Sequence, residues 1–543
     1  MGLYSFIFLP KRGNILGSGW GVLSMDASAD LRTSAQNRQA LYAVAGVLLI
    51  WLSACTVFFT GFRGSDDFHY ARFALFWDRF PVDHWEARLP YNALLRASFV
   101  LFGFGQVSAA LPGMICSLLV LSCSLWLSWR YHRSVRMLWL VGILVATLPA
   151  QVYCTNPSAR VLAEAGFCMG TVFLLGGANR LSALVAGLFL GLGVAGHTIA
   201  LFPAVFLLGS AAILRFCPVS RIGLTTLAGV VAFGLANFGV YALWTGDPLY
   251  EFHTASRVAL ASLATDPHYT CLFGENGSLS AFFYWRGVRD LLVSQAFGLV
   301  PAAAILGGVI TWRRRGALPR VLILALILTW SWICYGSMTP TRYTPFSLTT
   351  GYMGSLGFLF AWAAADLLLL LRHRALQAAL AGLLVAANLG ILSLAGPWGQ
   401  SVKISDDLLS YSKQHLERRF VTDNRTLTEM CVLNGFRAPA NVFPAPGATN
   451  PKFVQTPPLT PAELEQAEVL MLLNPLNRRE GSGEDIGGSW QWVSSHCGAP
   501  LLVGESRYRL LTYLLPLSYR ESHGWTLRRP PAKVCRYKGD GEG

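Results

Sequence analysis

The sequence predicts a polytopic α-helical membrane protein of about eleven transmembrane helices, followed by a small C-terminal soluble α/β domain. Three observations predict it. Of the 543 residues, 53% are hydrophobic and only 13% charged, and the mean hydropathy is +0.44, too apolar for a soluble globular protein. The apolar residues fall in long runs separated by short arginine clusters. From about residue 397 the runs shorten while charges, Pro and Gly rise.

The apolar runs lie at 40–61, 106–128, 137–153, 161–177, 181–196, 198–214, 222–244, 292–312, 320–337, 347–371 and 375–396, several of them short for a bilayer crossing. Residues 1–39 are polar, hold Lys11, Arg12, Arg32 and Arg38, and precede a run without a small-residue cleavage site. They read as a cytoplasmic N-terminal segment ahead of a retained span. Every second loop is basic: Arg130, Arg133 and Arg136; Arg180; Arg215 and Arg221; Arg313, Arg314, Arg315 and Arg320; Arg372 and Arg374. Short cytoplasmic loops collect Lys and Arg. The transmembrane domain, 40–396, is therefore expected to present loop 62–105, the turn at 155–160, His197, loop 245–291 and segment 337–345 on its outer face. An odd number of spans puts the soluble domain, 397–543, outside as well.

The formal charge of +14 is dispersed between the runs instead of forming one basic face, so it reports topology and no nucleic-acid partner is expected. The Arg-over-Lys bias and compact loops suit a bacterial inner membrane with the outer face toward the periplasm. Loop 62–105, with Phe73, Trp77 and Trp85 among charged residues, reads as amphipathic helices in the headgroup layer, against membrane lipids.

In the soluble tail, 420–426, 427–433 and 468–473 read as strand, helix and strand, with the Pro-rich stretch 439–461 as loop. Eleven cysteines are scattered, without a CxxC pair or zinc-ligand spacing. In an oxidising compartment two of Cys431, Cys497 and Cys535 can pair. Gly191, Gly193 and Gly196 satisfy GxGxxG, but inside an apolar run, where close helix packing explains them better than a dinucleotide. Asn424-Arg425-Thr426 is a glycosylation sequon by pattern.

The chemistry concentrates in the outer segments. Gly64-Ser65-Asp66-Asp67-Phe68-His69-Tyr70 follows directly on the first apolar run. Paired acids at a bilayer interface cost solvation energy if buried; the same pair would also serve simply to start a helix. Trp85-Glu86-Ala87-Arg88-Leu89-Pro90-Tyr91 adds a carboxylate and a guanidinium, and Thr339-Pro340-Thr341-Arg342-Tyr343-Thr344-Pro345 places an Arg outside, where the inner-loop bias gives no reason for it.

These motifs resemble those of the GT-C superfamily of polyprenyl-phosphate-sugar glycosyltransferases, which includes protein O-mannosyltransferases and lipid A aminoarabinose transferases. The first is similar to that family's Asp-Glu-x-x-Tyr signature, with Asp67 in place of Glu; the second to its aromatic-Glu-Lys-Pro-Pro stretch, with Arg for Lys; the third to its Arg-Tyr-x-x-Pro segment, one residue shorter. The resemblance implies an inverting transfer of a sugar from a polyprenyl-phosphate-linked donor to a hydroxyl of a lipid, cell-envelope glycan or protein acceptor. Asp66, with Asp67, would carry the catalysis as base. Arg342, Tyr343, Arg88 and His197 would bind the donor phosphate. Glu86, His69, Tyr70, Arg160 and Glu164 would face the acceptor or support the site, although Arg160 and Glu164, an i, i+4 pair, can also satisfy each other. Asp266, His268, Glu275 and Arg286, with Tyr269, Phe273, Tyr284 and Trp285, are further acceptor candidates. No metal ligand set is expected; a divalent metal bridging acids and phosphate is the alternative. A transporter or flippase of lipid-linked sugars is the competing class, against which stand the absence of an inverted repeat and the gathering of polar residues at one face.

Overall fold

The structure, a computed structural model, describes residues 27–64, 66–77, 83–177, 179–215, 223–265, 272–273, 278–292, 296–312, 317–337, 343, 345–346, 354, 356–394, 400–446, 456–466, 469–478, 486–503, 507–508, 528–529 and 532–538. Of the residues singled out above, Lys11, Arg12, Arg221, Asp266, His268, Tyr269, Glu275, Arg313, Arg314, Arg315 and Arg342 lie outside them.

Each expected span overlaps a helix. They are α1 (Ala27–Val57), α4 (Gln106–His132), α5 (Val135–Thr147) with α6 (Pro149–Val152), α7 (Arg160–Gly176), α8 (Arg180–Gly196), α9 (Leu201–Ile213), α10 (Leu224–Thr245), α13 (Val300–Thr311), α14 (Ala317–Tyr335), α15 (Gly357–Leu369) and α16 (Arg374–Leu394). Between them lie the outer-loop helices α2 (Asp66–Phe76), α3 (Leu89–Phe102), α11 (Tyr250–Thr265) and α12 (Ala281–Leu292). Among the described residues, four helices are long and apolar enough to cross a bilayer unaided, and α5 with Pro149–Thr155 passes as a pair bent by 61°. The bend falls at Pro149, which has no N–H to continue the ladder. The other expected spans are shorter: the 17 residues of α7 rise about 26 Å against a hydrocarbon layer of about 30 Å. Helix length therefore leaves the count of eleven unproven, and the chain is an integral membrane protein on the strength of its apolar helices.

Small residues let these helices approach closely. A Cβ on Gly193 would stand 3.0 Å from the Ala163 carbonyl oxygen, and one on Gly166 2.7 Å from the Gly193 Cα. Gly193 and Gly196 of the GxGxxG run thus pack against α7 and Gly191 against α10, the close helix packing expected.

The tail opens with α17 (Gln400–Gln414) and contains seven strands: β1 (Arg419–Thr422), β2 (Val442–Pro444), β3 (Val469–Leu473), β4 (Cys497–Val503), β5 (Arg507–Tyr508), β6 (Arg528–Arg529) and β7 (Lys533–Tyr537). Five of them form a mixed sheet in the order β2-β1-β3-β7-β4, with β1 parallel to β2 and β3 and β7 antiparallel to β3 and β4. The expected strand–helix–strand is β1, α18 (Asn424–Leu433) and β3. The Pro-rich stretch is not all loop: it holds β2, an edge strand, where a Pro costs no ladder bond. Phe420, Leu470 and Leu472 pack under α17 and α18, while Val421, Met471 and Leu473 pack on the opposite face. Burial on both faces explains why β3 reads as an unbroken apolar run. Cys497 is bonded to Cys535 across β4 and β7; Cys431 lies on the buried face of α18. The sequon is the first turn of α18, with Thr426 fully buried, and so is not presented to a glycosylating enzyme.

Candidate active site

The site is built around the N-terminal turn of α2, which begins at Asp66. Two acids in a first turn are favoured by the helix dipole, yet the two face different tasks. Asp67 is 2% exposed, and its Oδ2 accepts from the Arg63 N–H at 2.5 Å, the Gly64 N–H at 3.4 Å and Asn156 Nδ2 at 3.3 Å. It folds the preceding loop back on the helix and ties it to the turn after α6. The Asp66 side chain is 38% exposed, with Arg160 Nη2 4.0 Å from its Oδ2. Of the pair, only Asp66 is placed to meet an incoming molecule.

The far end of α2 is fixed by Arg96 on α3, whose Nη1 donates to the carbonyls of Ala74 and Leu75 at 3.1 and 2.9 Å. Between the two ends, Tyr70 accepts a hydrogen bond from Arg88 Nη1 and packs edge-on against Tyr91. Burial, opposed by Arg88, pushes the Tyr70 hydroxyl up to about 12, so it stays protonated. Arg88 is itself buried and its charge acts on Tyr70, His84, His197 and Glu251, which come from four separate parts of the chain. Arg160 acts on Tyr70 and His197. Arg88 is thus linked by charge to Tyr70, His84, His197 and Glu251, and Arg160 to Tyr70, His197 and, at 4.0 Å, Asp66.

His69 lies one turn along α2 and pairs with Asp83 at 2.9 Å, stacked on Trp85. Asp83 Oδ1 also accepts from the N–H groups of Trp85 and Glu86 at 2.9 and 2.8 Å. Burial works against its charge, but the His69 bond, the Glu86 N–H and the histidine charges together hold its carboxyl below the usual range. Burial, then the charge of Arg88, lowers His84 to about 4. Glu86 is buried, and one ligand atom each from His69, Asp83 and Glu86 lie within 4.8 Å of one another. That set has the chemistry and spacing to hold a divalent cation.

His197 sits at the junction of α8 and the short turn before α9, where its Nδ1 accepts from the Ile199 N–H at 3.3 Å. Its expected place beside the charged cluster and its role as a helix cap coexist. Arg160 and Glu164 do not satisfy each other: Arg160 turns to Asp66, and Glu164 accepts from Gln151 Nε2 at 2.6 Å. Glu164 ends a buried polar chain running through Gln151 and Ser117 to Trp51. Tyr343 is half exposed, donates its hydroxyl to the Tyr335 carbonyl at 3.0 Å and stacks near Phe283; these contacts belong to another group than that of Asp66. Arg286, an expected acceptor ligand, is fully buried and donates to the carbonyls of Cys334 and Phe346.

Sequence reading missed Glu251 and His84. Glu251 is buried at the start of α11, where burial, opposed by Arg88 and by bonds from Asn237 and Tyr241, raises it to about 8. Tyr241 in turn donates to the Ala87 carbonyl, which locks the Arg88 turn against α10. No motif marks Glu251, one of five acids in segment 245–291.

No protein-family profile and no curated protein matches the chain. Among solved structures, ArnT from Cupriavidus metallidurans in the apo state has a TM-score of 0.50 at 14% identity, over 82% of this chain and 94% of that one. ArnT from the same organism bound to undecaprenyl phosphate has 0.47 at 13%, over 79% and 92%. The archaeal oligosaccharyltransferase AglB from Archaeoglobus fulgidus, in complex with an inhibitory peptide and a dolichol-phosphate, has 0.44 at 13%, over 74% and 64%. The likeness to ArnT is one of fold. It meets the resemblance that the motifs carry.

Proposed function

We propose that this chain is an inverting membrane glycosyltransferase that moves a sugar from a polyprenyl-phosphate-linked donor to an acceptor hydroxyl, with Asp66 as general base. The observation that carries the reading is the division of labour within the acid pair: Asp67 is consumed by the fold, whereas Asp66 is half exposed at the head of a helix, beside the Arg160 guanidinium. The ArnT-like fold and the three motifs support it.

A lipid-linked sugar phosphate already has its leaving group. What the enzyme must add is a base for the acceptor and positive charge for the departing phosphate. Asp66 takes the acceptor proton as the oxygen attacks the anomeric carbon from the side opposite the phosphate, which inverts that centre. Arg88, poised on Tyr70, stabilises charge as it develops on the phosphate; its planar fork suits that anion. Arg160 orients Asp66, His197 flanks the two guanidiniums, and Arg342 and Tyr343 are assigned to the donor by motif. The acceptor class is a lipid, glycan or protein hydroxyl. The Cys497–Cys535 bond supports an oxidising compartment for the tail, hence a periplasmic outer face on a bacterial inner membrane.

The test is transfer from a panel of synthetic polyprenyl-phosphate sugars by the purified full-length protein. Wild type is expected to consume one donor and Asp66→Asn to lose on the order of 10³-fold in rate. Equal turnover by the two proteins overturns the assignment.

A further inference from the structure

The tail reaches across to the helix that carries Asp66. Gly64, two residues ahead of it, has a backbone φ of +85°, and its carbonyl accepts from Arg425 Nη2 of α18 at 3.0 Å. A Cβ there would stand 3.0 Å from that nitrogen, 3.3 Å from Glu429 Oε1 and 3.5 Å from Val402 Cγ2. Arg425 is not a loose surface side chain. Its Nε lies 3.2 Å from Glu429 Oε1, and the buried Glu429 carboxylate is held by Ser401 at 2.8 and 2.7 Å and by Ser405 at 2.7 Å. Asp423 caps the helix below, accepting from the N–H groups of Arg425 and Thr426 at 3.1 and 2.9 Å.

The same domain holds the loop and helix at further points. Lys403 Nζ donates to the Phe59 carbonyl at 3.3 Å. Phe436, just past α18, packs edge-on against Phe76 at the end of α2, with centroids 6.1 Å apart, and against Phe104. The helix bearing Asp66, Asp67, His69 and Tyr70 is thus gripped at both ends by one soluble domain. The grip on Gly64 comes from the first turn of α18, which follows β1 directly. That carboxyl edge of parallel strands is where open α/β sheets present binding groups.

We infer that the C-terminal domain is a positioning element for Asp66, with Arg425, oriented by Glu429, as the positioning residue acting through the Gly64 carbonyl. The inference rests on the transferase reading of Asp66. A base displaced by about an ångström loses on the order of 10²-fold in rate without losing substrate binding.

The experiment uses full-length protein in lipid nanodiscs, comparing wild type with Arg425→Met and Arg425→Lys. For Arg425→Met, kcat is expected to fall on the order of 10- to 100-fold while the donor KM stays within about twofold. Arg425→Lys, which keeps one donor, should recover part of kcat. Amide hydrogen exchange at Arg63 and Gly64 should quicken in Arg425→Met. Because exchange needs no turnover, it decides the grip even if wild type transfers no sugar, an outcome that would sink the transferase reading instead. Unchanged exchange, unchanged kcat, or a kcat loss that merely follows the fraction of unfolded protein overturns the positioning role.

Discussion

Arg88 and Arg286 are both buried arginines in segments expected on the outer face, and they are used in opposite ways. Arg286 lies over the Phe283 ring and directs its guanidinium to the main-chain carbonyls of Cys334 and Phe346. It staples α12 to the end of α14 and the segment beyond. Arg88 is bonded to a hydroxyl and surrounded by titratable side chains from α2, the 83–87 turn, the α8–α9 junction and α11. A buried cation bonded to main chain is committed to the fold. One set among side chains that can gain, lose or share charge has a chemical use.

That contrast can be broken by substitution. Arg88→Met should cut transfer by on the order of 10²-fold, measured as rate per folded molecule. Arg286→Met should instead cost about 3 kcal/mol of stability, since it leaves buried carbonyls unpaired, with the rate per folded molecule nearly kept. Thermal unfolding and activity on the same preparation separate the two, and a matched loss of activity in both would erase the distinction. Within the acid pair the same logic applies at smaller scale. Asp67→Ala removes the acceptor for two main-chain N–H groups and should lower stability by about 2 kcal/mol, read from the unfolding midpoint. The smallest effect concerns pH. Half-buried His84 has a folded value of about 4, below its ordinary 6.5, so the stability from its neutral ring is full above 6.5 and is lost as pH falls to 4. His84→Gln should flatten the acid side of the stability profile in that window; an unchanged profile would place the sensitivity elsewhere.

How much of this was legible in the sequence depended on how local the cause is. The place of Asp66 at the head of α2 was legible because an acid pair directly after an apolar run is a local signal. The task of Asp67 was not, since it depends on Arg63 and Gly64 main chain and on Asn156, 89 residues away. Glu251 joins Arg88 only through the packing of α11, which no spacing reveals. Arg286 was misjudged because an Arg next to Tyr284 and Trp285 looks like a sugar platform, whereas its partners are carbonyls 48 and 60 residues on. In the tail, apolar runs gave β1, α18 and β3, but three-residue β2 was hidden among prolines. The pairing of Cys497 with Cys535 was decided by the antiparallel meeting of β4 and β7.

That covalent link divides the tail into two mechanical halves. It closes a 38-residue loop, a constraint worth about 4 kcal/mol against the unfolded chain, and ties the edge strand β4 to β7, whose Val534 shares the core under α17 and α18. A thiol reductant should therefore slacken the edge strand β4 while leaving Arg425 on Gly64. Mild reduction thus becomes a way to loosen one side of the domain and ask whether turnover follows the covered edge or the gripping one.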